Sequence, residues 1–323
     1  MLSDIRSVHF VGICGTAMAS AAAAMQERGF RVTGSDTNVY PPMSTFLAER
    51  KVEVISGYDE KNLAHKPDLV VIGNAMSRGN AEVEAVLDRK LRYCSLPELL
   101  KEFFIRGKRS LVVSGTHGKT TTTSLLTWVF ECAGLNPSYL IGGIPTNLGQ
   151  GARFTDSEWF IIEGDEYDTA FFDKRSKFIH YLPEVAIVNN LELDHADIFA
   201  DVAAVQKSFS HFLRLVPRNG LLLANGDDAN LAPLLNVTHC PVKRFGLGEQ
   251  NSVRAFNQRG EVIFTAEVSS LVQPGVVQAP SVRWARLAAN RRTANALTSD
   301  RLADIGGGPV FYSCLVEVAR CAA

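Results

Sequence analysis

The chain has 323 residues, 46% of them hydrophobic and 21% charged, with 33 basic against 34 acidic side chains. That profile excludes a disordered chain and a strongly basic nucleic-acid binder, and at roughly 100 to 200 residues per domain it implies two domains with room for a third. Six scattered cysteines without a Cys-x-x-Cys exclude a disulfide scaffold or zinc ribbon and point to the reducing cytosol.

The apolar, alanine-rich run from Val8 to Met25 is preceded by Asp4 and interrupted by His9, Gly12 and Gly15, so neither a signal peptide nor a membrane span is expected of it. It reads instead as a short buried strand from Val8, a glycine turn Gly12-Ile13-Cys14-Gly15, and a helix from Thr16 to Arg28 that Gly29 ends. This is the opening of a Rossmann-like unit, in which the glycines admit a phosphate to the backbone and the helix N-terminus offers it free N–H groups. A second strand from Phe30 to Thr33 leads to Gly34-Ser35-Asp36, where a carboxylate is placed to accept bonds from ribose hydroxyls. The dinucleotide fingerprint itself is not met, since Met18 occupies the third glycine position, and the stretch alone leaves open a tight turn with no ligand. Further strands are expected at Val52–Ile55 and Leu69–Ile72, the latter continuously apolar as a strand covered on both faces should be.

Charged residues around Gly107 mark a domain boundary near residue 105. Leu111-Val112-Val113 then reads as a strand, Ser114 to Thr123 as a loop, and Ser124 to Ala133 as a helix ended by Gly134. Gly115, Thr116, His117, Gly118, Lys119, Thr120 and Thr121 form a phosphate loop on this reading. Its backbone N–H groups surround the phosphates of ATP or GTP, Lys119 faces the β- and γ-phosphates, and the Thr120 hydroxyl ligates magnesium. The next two apolar strands, Trp159–Ile162 and Val185–Val188, run into Glu163-Gly164-Asp165-Glu166-Tyr167-Asp168 and Asn189-Asn190-Leu191-Glu192-Leu193-Asp194-His195-Ala196-Asp197. In a parallel sheet these ends share the edge that carries the phosphate loop, so a metal site of oxygen ligands and a histidine is expected there.

GTHGKTTT, EGDEYD and NNLELDHAD, in that order behind GICGTAMA and GSD, resemble the Mur ligases, ADP-forming amide ligases of peptidoglycan synthesis. The resemblance covers residues 8 to 267. It implies an α/β fold with a Rossmann-like UDP-sugar domain (residues 1–105) and a P-loop central ATPase domain (106–267). It also implies ATP and Mg2+ as cofactors, Gly12, Gly15, Thr16, Asp36 and Asn74 on the UDP-sugar, and Thr120, Glu166 and His195 on the metal, with Lys119, Glu166 and His195 catalytic. Lys207 is the nearest candidate for the carbamylated lysine that many members carry. YPPMST, GNAMSRGN and DTAFFDKRSKFIHY look like the branch that joins the tripeptide L-alanyl-γ-D-glutamyl-meso-diaminopimelate to UDP-N-acetylmuramate in murein recycling. The implied protein is a cytoplasmic monomer with no nucleic-acid or membrane partner.

All eleven lysines lie at or before Lys243, and residues 268–323 carry six arginines, three acids and the run Gly306-Gly307-Gly308-Pro309 without a sustained period. Members of the family carry a third domain that closes over ATP. The composition change implies an irregular, aberrant tail over 268–323 in its place. Two alternatives therefore accompany the ligase reading: a catalytically silent binder of the UDP-sugar and ATP, and a sibling ligase that adds L-alanine alone.

Overall fold

A parallel strand whose residues are all apolar must be covered on both faces, and the computed structural model, which describes residues 4–194 and 198–246, satisfies that demand twice. His195 and the stretch 268–323 lie outside the described residues. The first sheet is built from β1 (Ser7–Val11), β2 (Arg31–Asp36), β3 (Glu53–Ser56), β4 (Leu69–Ile72) and β5 (Tyr93–Ser95), in the order β3-β2-β1-β4-β5. All its pairings are parallel, with Phe10 of β1 opposite Gly34 of β2 and Val71 of β4. The crossovers include α1 (Thr16–Glu27), α2 (Met43–Glu49) and α3 (Ala81–Asp88). Small side chains let α1 lie close on the sheet, where Ala19, Ala21, Ala22 and Met25 are fully buried.

Residues 101–110 are not a loose linker. The five-residue helix α4 (Leu96–Leu100), capped by a Ser95–Glu98 capping box, runs on through a wider helical turn to Ile105. Phe104 is buried against Phe154, and the Arg28 guanidinium covers its ring at 4.2 Å.

The second sheet follows with β6 (Arg109–Ser114), α5 (Lys119–Cys132), β7 (Ser138–Leu140), β8 (Ala152–Arg153), β9 (Trp159–Glu163), the hairpin β10 (Asp168–Ala170) and β11 (Asp173–Ser176), β12 (Val185–Val188), α6 (Val202–Leu213), β13 (Leu221–Asn225) and β14 (Val242–Phe245). Its order among the described residues is β14-β13-β12-β6-β9-β7-β8, with β6 between β12 and β9 and parallel to both. The hairpin forms a separate antiparallel pair. Of the described residues, 4–194, 198–223 and 230–243 make one compact unit; of the other, residues 224–229 and 244–246 are described, and in it the Gly226 N–H donates to the Phe245 carbonyl at 2.7 Å.

Helix α5 starts at Lys119, five residues before the start expected at Ser124. Four consecutive threonines have poor helix propensity and argue for a loop. The left-handed Gly118 (φ 78°) turns the chain, and Thr123 and Ser124 donate their hydroxyls to the Lys119 and Thr120 carbonyls at 2.7 and 2.6 Å, satisfying the side chains within the helix.

Candidate functional site

Strand β6 ends at Ser114 and the chain wraps over the end of β12 before entering α5. Gly115 is required there, because its φ is 128° and a Cβ would lie 3.0 Å from both the Asn189 and Asn190 backbone nitrogens. The two asparagines brace the loop. The Asn190 side chain accepts from the His117 N–H at 2.8 Å, and the Asn190 carbonyl accepts from the Thr116 N–H at 3.0 Å. Asn189 donates its amide to the His117 carbonyl and the Thr122 hydroxyl. Thr116 exchanges hydrogen bonds with the Glu192 backbone, and the His117 ring is 3.6 Å from Glu192 and 4.0 Å from Asp194. The asparagines, expected only as neighbours of a metal motif, thus shape the loop.

The Lys119 ammonium donates to the Gly115 and Thr116 carbonyls at 2.9 and 3.0 Å and to the Glu166 carboxylate at 2.9 Å. Glu166 is 3% exposed, and burial pushes its carboxyl above the usual range although Lys119 opposes the shift. Thr120 instead meets Glu163: its hydroxyl donates to one carboxylate oxygen at 2.9 Å, while the Gly142 N–H donates to the other at 2.7 Å. The structure therefore brings Glu166 to Lys119 and Glu163 to Thr120; the resemblance puts Glu166 and Thr120 on magnesium without requiring that the two side chains touch. Glu163 and Thr120 are hard oxygen donors at the head of α5 and suit a divalent cation. No cluster of three or more His, Cys, Asp or Glu side chains suited to a metal occurs among the described residues. Thr121 is exposed on the first turn of α5, and Lys207 is exposed on α6.

At the first sheet, the Gly12 and Ile13 N–H groups donate to the Ser35 carbonyl at 2.9 and 3.1 Å, closing the turn onto β2. Asp36, expected on a ribose, is 7% exposed and holds the turn together: its two oxygens accept from the Cys14 and Asn38 N–H groups, each at 2.9 Å. Gly15 caps α1 without a side-chain bond, and Thr16 and Asn74 are exposed beside it.

A cavity of about 370 Å³ joins the two regions. Gly12, Gly15, Thr16 and Asn74 line one part, and Gly142, Glu163, Asp165, Thr169 and Lys177 another, over an apolar wall of Met18, Met76, Leu96, Leu100 and Leu140. Asp165 accepts from the Tyr167 N–H at 3.0 Å and from the Lys177 ammonium at 2.6 Å. Asp165, Lys177 and Glu163 went unassigned in the sequence. Only the run of acids after β9 signalled two of them, and spacing alone does not say which acid faces which partner.

Two family models match the chain in succession: the Mur ligase family catalytic domain over residues 7–108, and the Mur ligase middle domain over residues 113–281. The chain belongs to the Mur ligase family. It is 51% identical over 247 residues to the UDP-N-acetylmuramate–L-alanyl-γ-D-glutamyl-meso-2,6-diaminoheptandioate ligase of Haemophilus influenzae, a match covering 76% of this chain and 54% of that protein. It is 36% identical to the UDP-N-acetylmuramate–L-alanine ligase of a Psychrobacter species, over 79% of this chain and 52% of that protein. Among solved structures, the corresponding diaminopimelate ligase of Neisseria meningitides superposes with a TM-score of 0.73 at 46% identity, covering 79% of this chain and 82% of that one. This Mur ligase chain spans about half the length of the curated relatives it matches.

Proposed function

We propose that the protein works as an ATP-dependent, ADP-forming ligase that joins the tripeptide L-alanyl-γ-D-glutamyl-meso-diaminopimelate to UDP-N-acetylmuramate. The observation that carries this reading is the cavity that runs from the glycine turn of the first sheet to Glu163, whose carboxylate holds the Thr120 hydroxyl of the phosphate loop. Such a passage fits a sugar nucleotide whose reactive end must reach the γ-phosphate of ATP. The greater identity to the diaminopimelate ligase than to the alanine ligase favours the tripeptide.

A carboxylate does not acylate an amine at neutral pH, so the lactyl carboxylate must be activated. On this reading its oxygen attacks the γ-phosphorus as the bond to ADP breaks. The tripeptide nitrogen then attacks the acyl carbon, phosphate leaves, and the amine loses its proton. Lys119 would transfer the donors it gives to Gly115, Thr116 and Glu166 to phosphate oxygens, offsetting repulsion between the two anions where charge accumulates. Glu163 and Thr120 would hold Mg2+, which when bound supplies charge neutralisation at the phosphates. Gly12, Gly15, Thr16 and Asn74 would take the UDP-sugar, with Asp36 shaping the turn from beneath. Residues 1–105 would form the sugar domain and 106–267 the ATPase domain.

Its substrates on this reading are the soluble nucleotides ATP and UDP-N-acetylmuramate, which places the reaction in the cytoplasm; among the described residues no helix is long and apolar enough to cross a membrane. Incubation with ATP, Mg2+, UDP-N-acetylmuramate and either the tripeptide or L-alanine tests the proposal by ADP release and mass of the product. Tripeptide adduct is expected. Alanine adduct would make it the sibling ligase, and nucleotide binding with no product would make it a silent binder.

A further inference from the structure

An anion entering the cavity meets two carboxylates, Glu163 and Asp165, near the phosphate loop. Among the described residues that line it, Lys177 is the only cation. We infer that Lys177 is the residue that selects an acid-bearing sugar nucleotide, its ammonium receiving the lactyl carboxylate and setting it toward the γ-phosphate. The inference rests on the reading of the cavity as the UDP-sugar site and deepens it.

Three observations carry it. Lys177 is 21% exposed, sheltered enough for a charge pair to matter yet open to the cavity. Its ammonium has three donors, and the side-chain bond it makes is the one to Asp165 at 2.6 Å, so donors remain for a ligand. Its place is also fixed. Lys177 directly follows β11, the Lys177 N–H donates to the Tyr167 carbonyl at 3.1 Å, and its ammonium is paired with Asp165, two residues beyond the Glu163 that holds the Thr120 hydroxyl, which ties the ammonium to the acid run beside the phosphate loop. A UDP group at the glycine turn leaves the sugar's acid to be recognised beside that loop.

The chemistry separates this role from a general one. UDP-N-acetylglucosamine shares the uridine, diphosphate and amide of UDP-N-acetylmuramate but lacks the lactyl carboxylate. A residue that reads the carboxylate therefore alters the ratio of the two affinities, while a residue that serves the diphosphate or the fold alters both together. The test measures dissociation constants of both sugar nucleotides by calorimetry for the wild type, Lys177→Arg, Lys177→Met and Lys177→Met with Asp165→Asn. The double variant removes the carboxylate that Lys177→Met would strand, and circular dichroism reads the folding of each.

The expected result is that the wild type prefers UDP-N-acetylmuramate and that the preference falls roughly ten- to a hundredfold in the double variant, the range for one charged hydrogen bond. Lys177→Arg should retain most of it, and UDP-N-acetylglucosamine affinity should barely change. Equal weakening of both ligands, or an unchanged ratio in a folded double variant, overturns the assignment of Lys177. A wild type that binds neither sugar nucleotide overturns the cavity reading as well, and the two failures are thereby told apart.

Discussion

At Lys119 three oxygens compete for one ammonium: the Gly115 and Thr116 carbonyls and the Glu166 carboxylate. This arrangement parks the cation at the mouth of the loop, so Lys119→Ala should lower ADP release by orders of magnitude, about 10²- to 10³-fold if it matches the loss of one electrostatic stabiliser, with some loss of stability because Glu166 is buried beside it. Near-normal turnover in that variant of an active enzyme would remove Lys119 from the chemistry. Glu163→Gln should weaken Mg2+-dependent ATP binding while Glu166→Gln, one pair removed from Thr120, should weaken it less. Titrating both variants with a fluorescent ATP analogue at several Mg2+ concentrations decides between the carboxylates. Asp173 offers a residue-scale test in pH. The Arg175 guanidinium, followed by its own N–H and the His180 ring, holds its carboxyl down to about 2. A depressed carboxylate stabilises the folded state above its unfolded value of 3.8 and loses that contribution as pH falls toward about 2. Asp173→Asn should therefore cost about 1 kcal/mol near neutrality, reduced by solvent screening, and the gap in unfolding free energy from wild type should close in that acid window.

The hairpin β10–β11 shows how one element serves two sheets. It leaves the acid run after β9, and Phe171 and Phe172 near its tip pack against the core of the first sheet around Val70, Ile72 and Val83, with Phe172 edge-on to Tyr93 at 5.0 Å. Its return strand is tied by the Ser176 and Ser208 hydroxyls at 2.7 Å and by Asp173 to the buried His180 at 3.0 Å. Phe172→Ala should cost roughly 2 kcal/mol, less than a fully buried ring because the side chain is partly covered, measured by denaturant unfolding. The phosphate loop makes a sharper case for an element that depends on its neighbour. Gly115→Ala would put a methyl group 3.0 Å from two backbone nitrogens at a φ of 128°, so it should lower ATP affinity and stability together.

For the whole molecule, the cavity draws its wall from the turns and helices that follow strands of the first sheet and from β7 and β9 of the second, and its ligand should stabilise the folded state by mass action. At a hundredfold excess over Kd, UDP-N-acetylmuramate should add about 2.7 kcal/mol to the unfolding free energy, read as a rise in Tm. A flat Tm across that titration would argue against the cavity as the sugar-nucleotide site.

Much of this was legible beforehand. Leu69–Ile72 and Leu111–Val113 announce buried parallel strands by continuous apolarity, and Gly12, Gly115 and Gly118 announce turns of left-handed backbone, because these are local properties of chain and side chain. The order of strand, glycine loop and acid run was likewise enough to place the chain among its relatives. Pairings across the sheet were not legible. Which of Glu163 and Glu166 meets Thr120, and that Asn189 and Asn190 brace the loop, depend on how segments 43 to 73 residues apart come together, and Asp36 reaches Cys14, 22 residues away, only because β1 and β2 pair. The sequence by itself determined the fold class, the phosphate loop and the family. Which acid meets Lys119, Thr120 or Lys177, and which side chains line the cavity, came from the packed fold, because burial and hydrogen-bond geometry exist only once distant strands are packed together.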